Sequence, residues 1–83
     1  MRYELEFRPS ALRDLRKLSI DVSRRVLAKL ERMQEDLHGD VKRLSGDEPG
    51  FRLRVGEYRA LFDLEDRRIV VRRIRHRREV YGK

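Results

Sequence analysis

The chain has no cysteine, no tryptophan and only two prolines. Without cysteine it can build neither a disulfide framework nor a thiolate metal site. Its two histidines, His38 and His76, are far apart, and no metal-ligand spacing is present. No apolar run approaches the ~20 residues that a membrane-spanning helix needs. The first residues, Met1 to Glu6, alternate polar and apolar side chains and lack the apolar core of a secretion signal. Repeats, low-complexity tracts and linkers are missing too. The expectation is one cytoplasmic domain spanning residues 1–83, with no cofactor, no metal and no membrane partner.

What is abundant is charge. Charged residues make up 45% of the chain and the formal net charge is +7. Residues 1–50 hold 11 basic and 10 acidic residues, whereas residues 51–83 hold 11 and 5. The first part is nearly balanced and the excess lies in the second. A localised basic excess points to nucleic acid, an acidic partner or an anionic surface. So much charge can mean disorder, but the apolar residues are periodic, which argues for a folded domain.

The strongest local pattern is FRLRVGEYRALF at 51–62, which alternates apolar and charged residues on both sides of Gly56-Glu57. Period-two alternation about a Gly-containing pair predicts a β-hairpin. In that register Val55 opposes Tyr58, Arg54 opposes Arg59, Leu53 opposes Ala60 and Phe51 opposes Phe62. One face is apolar and the other carries Arg52, Arg54 and Arg59. Like charges directly opposite on a sheet are destabilising, so their clustering predicts a bound polyanion.

Elsewhere, Tyr3, Leu5 and Phe7 predict a half-buried strand over 2–8. Pro9 suits a helix start, with Ser10 as a cap, and Ala11, Leu12, Leu15 and Leu18 supply a helical stripe. A second helix follows, capped by Asp21 or Ser23, with the stripe Val22, Val26, Leu27, Leu30, Met33 and Leu37. His38 falls at its C-terminal end and Gly39 is its stop. Residues 39–50 read as a polar loop anchored by Leu44. A turn at Asp66-Arg67 would set Leu64 opposite Ile69 and Phe62 opposite Val71. That register puts Arg72 on the Arg59 face but also leaves Val70 and Ile74 there, which a groove or a bulge would explain. The expected fold is α+β, in the order β-α-α-β-β-β: a small, mainly antiparallel sheet with two helices on one face.

The order of elements, the Arg54-to-Arg59 hairpin and the closing run from His76 to Tyr81 together resemble the RelE/ParE superfamily of toxins, on the RelE side. The resemblance implies a ribosome-dependent endoribonuclease that cuts messenger RNA in the A site. It implies a cognate, RelB-like antitoxin with an acidic segment as partner, besides ribosome and messenger RNA. Operator DNA would be bound only by the toxin–antitoxin complex. The family's site maps onto Arg52 and Arg54, Arg59, His76 or Arg77, and Tyr81. Many relatives carry lysine where Arg52 and Arg54 stand. Arginine stays protonated and cannot act as a base.

Cleaving RNA by attack of a 2′-hydroxyl on the adjacent phosphate needs a proton acceptor, charge stabilisation and a proton donor. His76 titrates near neutrality when unperturbed and is the candidate acid or base. Arg54 and Arg59 suit phosphate clamping, and Tyr81 could stack on a base or donate a proton. The expected catalytic set is therefore Arg54, Arg59, His76, Arg77 and Tyr81. Arg52, Arg72, Arg75 and Arg78 are expected to bind RNA phosphates. Because Arg59 is read as facing away from the core, removing it is expected to leave stability unchanged or slightly higher. The competing functions are a ParE-like toxin that inhibits DNA gyrase without cutting RNA, and an inactive module that only joins its antitoxin on operator DNA.

Overall fold

The computed structural model describes residues 2–37, 41–44 and 50–78. The elements are β1 (Glu4–Phe7), α1 (Pro9–Lys17), α2 (Ile20–Asp36), β2 (Val41–Arg43), β3 (Phe51–Val55), β4 (Tyr58–Glu65) and β5 (Arg68–His76). They form a five-stranded sheet in the order β1-β5-β4-β3-β2. β1 runs parallel to β5 at one edge and every other pairing is antiparallel. The expected α+β architecture is present, with one strand more than the pattern predicts. Residues 41–43, read from sequence as loop, pair Val41 with Leu53 and Arg43 with Phe51. Strand β2 is only three residues long and mostly polar, too short for alternation to declare itself. Leu44 is half-buried and lies outside the core cluster; its amide donates to Gly50 O.

Both helices lay their apolar stripes on one face of the sheet. From α2 come Val26, Leu30 and Met33, and from the strands Leu53, Phe62, Ile69 and Val71, all with no exposed surface. Burying a side chain of that size contributes roughly 1.5–3 kcal/mol. Tyr3, Leu5 and Phe7 pack against this cluster as expected, while Leu12 stays exposed. β1 is also tied to α2 directly: Tyr3 N donates to Gln34 O, and Gln34 Nε2 donates back to Tyr3 O.

The helix starts differ from expectation. Pro9 does begin α1, but Ser10 does not cap it; its Oγ donates to Arg72 O. The cap of α2 is Ser19, whose Oγ accepts from Val22 N, rather than Asp21 or Ser23. Leu37 ends α2 in the left-handed region with φ 58°. The expected His38 and Gly39 terminus lies outside the described residues.

The hairpin register at β3–β4 is the one read from the alternation. In β4–β5 the expected pairs Leu64–Ile69 and Phe62–Val71 are present, but an irregularity follows. Phe62 faces Val71 whereas Leu61 faces Arg73, so Arg72 is an extra residue in β5. Such a bulge reverses which side chains point inward beyond it. Ile74 therefore falls opposite Ala60, in the core, and not on the Arg59 face as the unbroken register predicted. Val70 stays on the outer face, where its neighbours leave it 1% exposed.

Candidate RNA-binding and catalytic face

The tip of the β3–β4 hairpin organises the site. Gly56 takes φ +60°, which a two-residue turn of this kind asks for and which glycine adopts at little cost. The short turn forces Arg54 and Arg59 directly opposite one another, and the β4–β5 register places Arg75 on the other side of Arg59. Three arginines thus form a row across three adjacent strands on the face away from the helices. Arg52 lies on the same face beside Lys42 of β2.

The row tolerates its own repulsion because its middle member is folded down. Arg59 is only 5% exposed. Its Nη1 donates to Gly56 O at 3.2 Å and to Tyr58 O at 3.1 Å, so the guanidinium ties the hairpin turn to its own strand. This corrects the expectation that removing Arg59 leaves stability unchanged or slightly higher. It bears on stability, because the two turn carbonyls lose their charged donor when it goes. Arg54 is exposed and Arg75 is half-buried.

The bulge divides the expected catalytic set. His76 falls opposite Tyr58, with ring centroids 5.2 Å apart in an edge-on arrangement, on the helix side of the sheet. Arg54 and Arg59 occupy the other side. His76 also sits at the end of β5, where Arg77 and Arg78 begin a helical turn. Together with Glu57 these three line a cleft of about 620 Å³ at the hairpin end of the sheet. Arg77 N donates to Glu57 O at 2.7 Å, which holds this end against the hairpin. Arg78 N donates to His76 Nδ1 at 3.3 Å, so in this arrangement the ring hydrogen sits on Nε2. Tyr81 lies outside the described residues. Arg72, in the bulge, has its Nε 3.3 Å from Asp63 Oδ2.

One important residue was missed from sequence. Asp14 of α1 is 9% exposed. Its carboxylate accepts from Arg73 Nε at 2.8 Å, from Arg73 Nη2 at 3.3 Å and from Ile74 N at 2.9 Å. β1 pairs with β5 only as far as Val71; beyond that the edge of β5 is served by Arg8 N, Ser10 Oγ and Asp14 instead of a strand. Burial pushes the Asp14 carboxyl up, but hydrogen bonds from Arg73 and Ile74 N and the charges of Arg73 and Arg75 outweigh it. The net shift is downward. The readable signal was its spacing: Asp14 lies three residues after Ala11 and four before Leu18, on the apolar stripe. A second cleft, of about 250 Å³, lies beside it and is lined by Lys17, Leu18, Tyr58, Arg73, Ile74 and His76 as well as Asp14.

The model of a family described as ParE toxin of type II toxin–antitoxin system, parDE, matches residues 5–81. The chain belongs to the RelE/ParE toxin superfamily. It is 29% identical over 80 residues to Toxin RelE3 of Methanocaldococcus jannaschii, covering 90% of this chain and 91% of that one. The toxin–antitoxin complex RelBE2 from Mycobacterium tuberculosis contains a chain of the same fold, with TM-score 0.79 and 26% identity, covering 92% of this chain and 99% of that one. The RelB–RelE complex from Methanococcus jannaschii gives TM-score 0.76 and 27% identity, with 93% and 95% covered. This superfamily member is therefore a toxin of the type II toxin–antitoxin class, and the resemblance read from the hairpin and the closing run holds. Among the described residues no helix is long and apolar enough to cross a membrane.

Proposed function

We propose that this toxin is a ribosome-dependent endoribonuclease that cuts messenger RNA in the A site. The observation that carries this reading is the row Arg54–Arg59–Arg75, which ends beside a cleft lined by His76, Arg77 and Arg78. Guanidiniums set side by side on a preformed sheet suit the phosphates of a single strand. The RNA 2′-hydroxyl loses its proton to water as its oxygen attacks the adjacent phosphorus, the bond to the 5′-oxygen breaks and that oxygen takes up a proton, and a 2′,3′-cyclic phosphate and a 5′-hydroxyl result. The arginines stabilise the charge gathering on the phosphoryl oxygens, which is worth most when the donors are already in place. His76 as the imidazolium, its Nδ1 released by Arg78 N, gives a proton to the leaving 5′-oxygen at the rim between the two faces. Tyr81 stacks on a base or supplies a proton. Arg52, Arg72, Arg75 and Arg78 bind flanking phosphates.

The partner that silences the toxin is a RelB-like antitoxin whose acidic segment meets the basic excess of residues 51–83. Several solved relatives are toxin–antitoxin complexes, which supports this reading. Operator DNA is bound only by the complex. A second reading, gyrase inhibition without nuclease activity, is favoured by one observation: the matching family model is that of ParE toxins.

The deciding experiment is single-turnover cleavage of messenger RNA on programmed ribosomes, run beside a gyrase supercoiling assay. Cutting with normal supercoiling is expected, along with growth arrest when the toxin is expressed alone. Intact message combined with inhibited supercoiling would move the chain to the gyrase reading. Normal growth with folded toxin and neither activity would leave only the inactive, operator-binding module.

A further inference from the structure

The arginine face contains a carboxylate that affinity for RNA does not explain. β4 carries Arg59, Leu61 and Asp63 outward in succession, and Asp63 faces Val70 across the β4–β5 ladder. Its Oδ2 lies 3.3 Å from Arg72 Nε, and both side chains are about a quarter exposed, at 27% and 26%. A partly exposed ion pair at this separation is worth little to stability, ~0–1 kcal/mol. It also offsets positive charge on a surface whose proposed ligand is a polyanion.

The pair is nevertheless built in from two sides. Arg72 is the extra residue of the bulge, the place where a strand re-aims a side chain. From above, Gly50 closes on the pair. A Cβ there would lie 2.7 Å from Asp63 Oδ1, 2.8 Å from Phe62 O and 3.1 Å from Arg72 Nη2. Gly50 also has φ +101°, a conformation side chains rarely adopt. Its carbonyl accepts from Leu44 N, so the backbone that covers the pair is itself anchored to the β2 end. A contact worth so little energetically has a bulge, a glycine and a backbone hydrogen bond arranged around it.

We infer that Asp63 is a positioning residue: it holds the Arg72 guanidinium in a fixed plane so that Arg72 meets a phosphate flanking the one held by Arg54 and Arg59. This rests on the nuclease reading for its rate consequences, but not for its binding consequences. A free arginine would bind RNA as strongly in many orientations, whereas a clamped one binds in the orientation that sets the strand for attack. Misplacing a strand by about an ångström costs up to ~100-fold in rate.

The test measures binding of a single-stranded oligoribonucleotide against salt, and cutting on programmed ribosomes, for wild type, Asp63→Asn, Arg72→Met and the double variant, with thermal melts on the same preparations. Asp63→Asn should bind RNA as tightly as wild type or more tightly, yet cut ~10- to 100-fold more slowly. Arg72→Met should cut about as slowly and should lower the salt slope of binding by about one. The double variant should cut no more slowly than Arg72→Met alone. Gly50→Ala, which crowds the pair without changing charge, should slow cutting while leaving the slope intact.

Wild-type cutting by Asp63→Asn would overturn the inference. So would an additive loss in the double variant, which would mean Asp63 acts through something other than Arg72. Slower cutting matched by equal losses of binding and melting temperature in Asp63→Asn would show a merely structural role. If wild type binds RNA but cuts none, the nuclease reading fails while the binding slopes still decide. The clamp then requires Asp63→Asn to bind RNA at least as tightly as wild type and Arg72→Met to lower the slope by about one in both backgrounds. Weaker binding by Asp63→Asn, or a slope unmoved by Arg72→Met, would overturn it.

Discussion

Arginines at the hairpin tip and at the open edge of β5 are used in opposite ways. At the hairpin tip, Arg54, Arg59 and Arg75 are set against one another across three strands. At the open edge of β5, Arg73 is set against the carboxylate of Asp14, which also takes the Ile74 amide. The first arrangement repels itself and costs stability; the second replaces a missing strand partner and adds stability. The difference separates a cation kept for a ligand from a cation kept for the fold. Arg59 is the residue that belongs to both, because it lies in the repelling row and yet donates to two backbone carbonyls.

The sharpest way to probe this contrast is Arg59→Ala. Cutting should fall by roughly 100- to 1000-fold, the usual loss for one donor to a charge-developing oxygen. Melting temperature should fall as well, because the hairpin carbonyls lose a charged donor, at a cost of about 1.5–3 kcal/mol. A variant that loses activity but melts like wild type would show that Arg59 belongs to the ligand alone. Full cutting by this variant would remove it from the site.

His76→Gln comes next. It should slow cutting by about 100-fold, in line with loss of a proton-transferring group, and leave denaturant midpoints unchanged. Unimpaired single-turnover rates would assign His76 to packing against Tyr58.

At the β5 edge, Asp14→Asn should leave cutting largely intact while lowering stability by about 2 kcal/mol in chemical denaturation. The folded Asp14 carboxyl titrates below the ordinary aspartate value, held down by the hydrogen bonds and charge of Arg73 and the Ile74 amide. Its contribution is therefore fully present above pH ~4 and is lost as pH falls through the lower, folded value. The gap between wild type and Asp14→Asn should narrow on acidification below pH ~4. A gap that stayed constant down to the acid limit would show that the ionised form is not what stabilises the edge.

Ser10→Ala should have the smallest effect, about 1 kcal/mol, through loss of the Oγ–H donated to Arg72 O. No change in stability would mean water replaces the hydroxyl at that edge.

Much of this molecule is written in short-range pattern. The alternation about Gly56-Glu57 specified the β3–β4 register residue by residue, because a one-residue slip would have turned Phe51, Leu53 and Val55 outward. The three-to-four spacing of α2 specified its buried face for the same reason. The opposition of Arg54 and Arg59, and with it the polyanion-binding reading, followed from two residues of turn. Tertiary structure decided what depends on partners distant in the chain. The bulge at Arg72 turned Ile74 into the core and His76 to the helix side, a choice made by packing against Ala60 and Tyr58 that no local period reports. Ser10 left its cap role for the carbonyl of Arg72, 62 residues away, and Asp14 became buried because β5 outruns β1 and its edge needs acceptors. The burial of Arg59 was likewise settled by where the turn carbonyls lie. Alternation says which face a side chain is on; only the folded neighbours say whether water reaches it.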